Sequence, residues 1–440
     1  MTKPTLFALI LTLSLAACSG SKERAMPDLH NVETNLAFTC SYEKDHLPAL
    51  DPEAGQLYRY ARWLRKNQIE KEDPLRYPQM ERYYRIATAY GHYKANLDLR
   101  DMIGRGTAKS DDPVKETLDL TQELIDRGIP GGYYDMGRYI KAGYGVKQDE
   151  ELANRYYRKA ADMGSPEAQY LVGGKLTGLT IAQPVPFAIG NQMLKCAAEQ
   201  GHATAALEYA NQLQFEKKFA EAVKFFQLST KWGDETAAYN LENGFGSIPT
   251  ENKQSIDLGL KQDDERSRRY KIISGILSDY SYAHPSVPEL DEIVPLPPAK
   301  LPHWNGKIKW LEDFKANVAP EKPSEELMKK LATAKGLDPA TGRPKAKAGE
   351  AGKTAAATPA PSKTSDRLPL GSKVASGQPC PETGLWQCTH PQATPRQLSL
   401  MAGQTMPAVL VPNQRSVWQK LKGEPDQLAI DSEWELVQLG

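Results

Sequence analysis

The chain lacks the common sequence signs of a catalyst. It has no Gly-x-Ser-x-Gly elbow, no phosphate-binding glycine loop and no His-Glu-x-x-His helix, which removes the usual marks of a serine hydrolase, a nucleotide-binding enzyme and a zinc peptidase. Histidine is scarce, seven residues in 440, and scattered. Two of the seven, His92 and His202, directly follow Gly91 and Gly201 in equivalent sequence positions, which assigns them to turn stabilisation. An excess of either charge is also missing: 55 Lys and Arg balance 55 Asp and Glu, so no field argues for nucleic acid or another polyanion as partner. No apolar run after residue 18 is long enough to span a bilayer. The five cysteines contain no Cys-x-x-Cys pair and none lies near paired histidines. The expectation is a binding protein with no catalytic residue, no metal and no cofactor.

What is present begins at the N-terminus. Lys3 precedes an apolar stretch, Leu6 to Leu15, too short for a membrane span of ~20 residues but matching an export-signal core of ~7–15. It runs into Leu15-Ala16-Ala17-Cys18, which resembles the lipobox of bacterial lipoprotein signal peptides. That resemblance implies removal of residues 1–17, lipidation of Cys18, and a tether over 18–40. With Ser19 rather than Asp following, it further implies sorting to the outer membrane with the body in the periplasm. Disulfides persist in such a compartment, and four further cysteines are an even number. Cys380 and Cys388 enclose a short loop containing Pro381 and Gly384 and are expected to bond; Cys40 with Cys196 follows by elimination.

The middle of the chain repeats itself. Tyr84 to Gly91, Tyr157 to Gly164, Leu194 to Gly201 and Phe226 to Gly233 each read large-x-x-small-small-x-x-Gly, and Gly128 fills the gap between the first two. The glycines are separated by 37, 36, 37 and 32 residues, and four residues after each comes a small one: Ala95, Gly132, Ala168, Ala205 and Ala237. A glycine after a helical stretch takes the left-handed conformation that ends it, and small residues flanking the turn let two helices approach. Each glycine is thus expected to turn a helical hairpin, and hairpins at this period bury a core only by stacking into a curved α-solenoid.

Tyr133-Tyr134-Asp135-Met136-Gly137-Arg138-Tyr139, Gly143-Tyr144-Gly145-Val146, Asp149, Tyr157 to Ala161 and Gly164 to Leu171 together resemble the Sel-one-like repeat, a relative of the tetratricopeptide repeat. The units at 84–106 and 194–246 are degenerate matches. The repeat region is expected over 81–246, behind a helical cap at 41–80 that carries Tyr58, Tyr60, Ala61, Trp63 and Leu64. Residues 247–335 bring further helices and a proline-rich strap, Val287 to Pro302, that must run extended, with its Val, Leu and Trp side chains buried. The mixed charges of Asp263 to Arg269 suit a solvated helix face with internal ion pairs. Residues 336–376, rich in Ala, Lys, Pro and Gly, are expected to be a flexible linker. Residues 377–440, with Trp386, Trp418 and Trp434 and short apolar strings, are expected to be a small disulfide-stapled β-rich module. The fold class is therefore mainly α: a solenoid of Sel-one-like hairpins, then a disordered linker and the β-rich module.

Solenoids present long concave surfaces, so interaction with a protein is the expected function. Tyr133, Tyr134, Tyr139, Tyr144, Tyr156 and Tyr157 crowd one repeat and are divided between core and surface. Glu81 to Ala87, Gly91 to Asn96, Cys196 to His202, Asp264 to Ser267 and Ile293 to Ala299 together resemble a proteobacterial lipoprotein family carrying Sel-one-like repeats beside a domain of unknown function. That resemblance implies an immunity protein that neutralises a type VI secretion phospholipase of the D class, held to the membrane by its lipid anchor. The alternative is a scaffold similar to the repeat lipoproteins of polysaccharide-export assemblies.

Overall fold

Nine of the helix starts are fixed by side chains that accept the amide hydrogens a helix leaves unpaired. In a computed structural model, which describes residues 37–69, 71–178, 184–246, 257–345, 368–381, 384–390, 397–400, 406–412 and 427–439, Asp51, Asp112, Asp149, Asp234, Asp263 and Ser324 each accept from the amide three residues on. Ser165 does the same, and His92 and His202 use a ring nitrogen for it. The chain divides into two compact units between Ala346 and Lys347.

The first unit is an array of antiparallel helices: α1 (Pro52–Lys66), α2 (Tyr77–Ala89), α3 (Tyr93–Gly104), α4 (Pro113–Asp126), α5 (Pro130–Ala142) and α6 (Glu150–Asp162), then α7 (Pro166–Gly178), α8 (Pro184–Glu199), α9 (Ala203–Phe215), α10 (Phe219–Lys231), α11 (Glu235–Phe245) and α12 (Asp264–Asp279). Gly91, Gly128, Gly164, Gly201 and Gly233 sit at φ 77°, 70°, 98°, 103° and 103°, the region that only glycine enters without strain. Each is followed by the same pair of bonds: at Gly164, its own amide donates to Ala161 O at 3.0 Å and that of Ser165 to Ala160 O at 2.9 Å, the bond pattern of a Schellman turn. At Gly164 the backbone of Tyr42 crosses so closely that a Cβ would lie 2.6 Å from it.

The glycine turns do not enclose the tightest hairpins. Packing is more extensive across the other connections, α5 with α6, α7 with α8, α9 with α10 and α11 with α12, and the glycine turns link one such pair to the next. Gly173 and Gly190 show why: a Cβ on either would lie within 3 Å of the other's carbonyl oxygen, so α7 and α8 touch backbone to backbone. In the preceding pair, α5 with α6, large side chains fill the interface instead, among them Tyr156, Tyr157, Met136 and Ile140.

Beyond α12 the strap Pro285–Ile308 includes the single turn α13 (Leu290–Ile293) and buries Val287, Leu290, Val294, Trp304 and Ile308 against α10 to α12. It leads to α14 (Lys309–Ala316) and α15 (Glu325–Ala334). Met328, Leu331 and Ala332 of α15 join the core formed by α1, α2 and α3. The chain therefore returns from its last hairpin to its first, and the segment after the strap ties the two ends of the solenoid together.

Three expected boundaries move. The linker starts later than 336: Leu337 is buried against the first helices, Gly342 packs on the Arg82 carbonyl, and Arg343 reaches Glu81. Its far end is also structured, since residues 373–375 form a strand. Residues 37–40, expected as tether, and 41–46, expected in the cap, instead lie across α6, α7 and α8. There Phe38 packs among Val172, Leu176, Ile189 and Met193, and Gln169 and Gln200 donate to Ser41 O. Cys40 is joined to Cys196 of α8.

In the second unit a four-stranded antiparallel sheet has the order β1 (Lys373–Ala375), β6 (Glu433–Leu439), β2 (Gly384–Cys388), β3 (Gln397–Leu400), and β4 (Val409–Pro412) pairs with β5 (Gln427–Ile430). Trp386 and Trp434 are fully buried in its core; Trp418 lies outside the described residues. The expected Cys380–Cys388 bond is not formed: both are buried thiols. Cys388 ends a strand, and its sulfur faces the Ser432 hydroxyl at 3.2 Å and the His390 amide at 3.4 Å.

Candidate functional site at the closure of the solenoid

Two arginine clusters hold the strap and the segment that follows it. On α12 the expected internal ion pairs form, Arg266 with Asp263 and both Arg268 and Arg269 with Glu265, but Arg266 and Arg269 are buried, which corrects the expectation of a solvated face. Prolines leave the strap short of amide donors, so its carbonyls need partners from elsewhere. Arg269 supplies them, donating to Ile293 O at 2.6 Å and Pro302 O at 2.7 Å, while Arg266 donates to Pro295 O at 3.0 and 3.1 Å and to Ala299 O. Hydrogen bonds from Arg268 and Arg269 hold the Glu265 carboxyl down at about 2, so the cluster stays charged through the physiological range. Replacing Arg269 with Ala should free Ile293 and Pro302 carbonyls and loosen the strap. Limited proteolysis should then cut within 293–303, sites protected in the parent chain; an unchanged digestion pattern would refute this role.

On α2, Arg82 makes a two-pronged contact with Glu325 of α15 at 2.7 and 3.1 Å and donates to Pro339 O at 2.6 Å. Arg85, also buried, donates to Glu81 at 2.8 Å, to Glu116 and to Lys109 O at 2.7 Å. Arg343 adds a second cation to Glu81 at 3.1 Å. Arg82 and Arg85 spread their donors over two and three acceptor groups in the fixed directions of a planar fork, a geometry that a lysine ammonium does not offer.

Where the returning segment meets the first helices lies a cleft of about 1000 Å³. α1 and α3 form one wall, α14 and the turn at Tyr282–His284 the other. Trp63 Nε1 donates to Asn317 O at 3.3 Å, Lys66 Nζ to Phe314 O at 2.8 Å, and Asn317 to Asn67 at 2.6 Å, so α14 is pinned against α1. Trp310 and Phe314 stack at 4.9 Å, Tyr280 meets both edge-on, and Lys66 sits 4.3 Å over the Phe314 ring. At the floor Arg65 binds Asp98 at 2.5 Å and Asp101 at 2.7 Å; burial pushes the Asp98 carboxyl up against the pull of its arginines. A second cleft, about 780 Å³, shares Lys66, Glu72 and Phe314 with the first.

The residues marked in the sequence fall elsewhere. The five glycines lie along the turns, and His92 and His202 cap α3 and α9 through Nδ1, accepting from Ala95 N at 3.2 Å and Ala205 N at 3.1 Å. The rings of Tyr58 and Tyr170 pack on them at 4.2 and 4.5 Å. Tyr156 and Tyr157 are core, and Tyr133, Tyr134, Tyr139 and Tyr144 are half-buried. Cys18 lies outside the described residues. Among the described residues no group of His, Cys, Asp or Glu could hold a metal, and no helix is long and apolar enough to cross a membrane. The lock arginines were missed as a site; their three-residue spacing on single helix faces, at 82 and 85 and at 266 and 269, was the available signal.

The capping role has a pH consequence. Burial lowers the pKa of His92 to about 4 and lowers that of His202, because taking the ring out of water disfavours its charged form. The folded values lie below the unfolded value of about 6.5, so the stability tied to the caps is complete above that pH and is lost as pH falls through the window down to about 4. Denaturant midpoints should decline between pH 6.5 and 4, and less steeply in a His92→Asn, His202→Asn chain, since Asn caps without titrating. Equal slopes would contradict the assignment.

The fold is a Sel1-like α-solenoid whose ends are joined by its own C-terminal segment. A family described only as a domain of unknown function matches residues 237–345, from α11 to the end of the docked segment. An uncharacterized protein of Neisseria meningitidis serogroup B is 31% identical over 128 residues, 28% of this chain, and the match spans 26% of that relative's length. Among solved structures, an immunity protein from Pseudomonas aeruginosa is 29% identical over 60% of this chain and 95% of its own, with a TM-score of 0.45. A Sel1 repeat protein from Oxalobacter formigenes is 19% identical over 49% of this chain and 86% of its own, with a TM-score of 0.36.

Proposed function

We propose that this chain is an immunity protein: a lipoprotein anchored at Cys18 to the outer membrane, its body in the periplasm, that binds and neutralises a type VI secretion phospholipase of the D class. The observation that carries the reading is where the resembling motifs fall. Arg82 ties the first repeat to Glu325 and Pro339 of the returning segment, Glu81 and Arg85 brace that same repeat, and Arg266 fastens Pro295 and Ala299 of the strap to α12. The resemblance is thus one of architecture and not of scattered residues. A closed array held by buried arginine forks is preorganised, which favours tight one-to-one capture.

The test is protection in cells. A phospholipase encoded beside this gene, directed to the periplasm, should arrest growth, and co-expression of the full lipoprotein should restore it. Cys18→Ser should weaken protection if the anchor concentrates the protein at the membrane. Undiminished killing in the presence of the intact, well-expressed chain would defeat the reading, and co-purification with polysaccharide-export components would replace it with a scaffold role.

A further inference from the structure

The paired clefts at the closure carry an unusual surface. Ile69, Leu75, Tyr282 and Val318 are 48%, 88%, 48% and 80% exposed, and they come from three stretches of sequence far apart in the chain. Ile69, Tyr282 and Val318 line the first cleft, and Leu75 lies between Pro74 and Arg76, which line the second. Apolar side chains gathered in one place and rimmed by charge mark a protein-binding surface, whereas single exposed ones do not. The aromatic stack of Tyr280, Trp310 and Phe314 beside Arg62 and Arg105 has the composition of a binding hot spot.

The charge of this surface is one-sided in a chain whose net charge is zero. Seven Lys and Arg line the two clefts against four Asp and Glu. Asp98 beneath them neutralises one more, through Arg65 at 2.5 Å and Arg62 at 3.5 Å. Arg76 is answered by Asp73 and Arg105 by Asp101. Lys71 and Lys315 are exposed and form no ion pair with the described residues, one on each side of the groove.

We infer that this groove is the docking surface for the effector enzyme, and that it receives an acidic segment of that enzyme with aliphatic or aromatic side chains seated on Ile69, Tyr282 and Val318. The inference rests on the immunity reading and adds the binding face to it. Charge complementarity at an exposed rim speeds encounter and makes binding salt-dependent, while the apolar centre sets residence time.

The test uses the full soluble chain, residues 19–440, and, as probe, any phospholipase found encoded next to it, purified. Lys71→Glu with Lys315→Glu should weaken binding at least tenfold and flatten its salt dependence, and Val318→Asp should raise the dissociation rate at least tenfold. Lys147→Glu, an exposed change on the loop before α6, is the control and should bind as the parent does. Unchanged helical content and thermal midpoint in the variants separate lost contact from lost fold. If all the variants bind and inhibit as the parent does, the immunity reading stands and this face is wrong. If the parent binds no phospholipase, the immunity reading itself fails and the inference with it. If the lysine reversal abolishes binding to phosphatidylglycerol vesicles but leaves enzyme binding intact, the groove belongs to the membrane and the inference is overturned.

Discussion

Replacing Arg85 with Ala is expected to destabilise the repeat unit by about 3–5 kcal/mol, because removing one partner of a buried ion pair leaves the other charge uncompensated. Arg85 is 7% exposed and serves three acceptors, Glu81, Glu116 and the Lys109 carbonyl. Glu81 keeps Arg343 and the Lys109 amide, both at 3.1 Å, which places the loss toward the lower end. Arg85→Lys should not restore stability, since a single ammonium cannot span the three acceptors. The exposed pair of Lys115 with Asp119 gives the contrast: Lys115→Ala should cost less than about 1 kcal/mol. Urea denaturation followed by helical circular dichroism measures all three. An Arg85→Ala loss as small as that of Lys115→Ala would show that the lock is not structural.

Breaking the Cys40–Cys196 bond is expected to have a comparable effect by a different route. The bond joins residues 156 apart, and chain-entropy arithmetic for so long a loop gives about 5 kcal/mol at 25 °C, with native disulfides commonly contributing about 2–5. It also fixes the segment 37–46 across α6 to α8, where Glu43 N donates to Gln200 at 2.7 Å and Tyr42 OH to Glu199 at 2.9 Å. A Cys40→Ser, Cys196→Ser chain should unfold at lower urea and be cut by protease within 37–46. Reductant should move the parent chain to the same midpoint and leave the double variant unmoved. A parent midpoint indifferent to reductant would contradict this.

The helical array could be read from the sequence because its determinants are local. A glycine at positive φ, small residues flanking it and a capping side chain are each set by a few neighbouring residues, so Gly91 through Gly233 and both capping histidines could be recognised. The closure could not be read. Arg82 finds Glu325 at a separation of 243 residues and Trp63 finds Asn317 at 254, and no periodicity encodes such meetings. The same cause misled the reading of Asp263 to Arg269: alternating charge looks like a wet surface unless the proline-rich strap that lies on it is known. Residues 336–345 looked like linker by composition, yet Gly342 is required where the backbone passes Arg82, and Leu337 completes the core around α2. The candidate groove draws on α1, α3, the turn after α12 and the segment after α14, so its existence depended entirely on the closure.

The central claim is stoichiometric neutralisation, and a titration tests it most directly. Any phospholipase found encoded beside this gene is purified and assayed on phospholipid vesicles while the soluble chain, residues 19–440, is added in steps. The account expects activity to fall linearly and to vanish at one chain per enzyme; full activity in molar excess of the chain would contradict it.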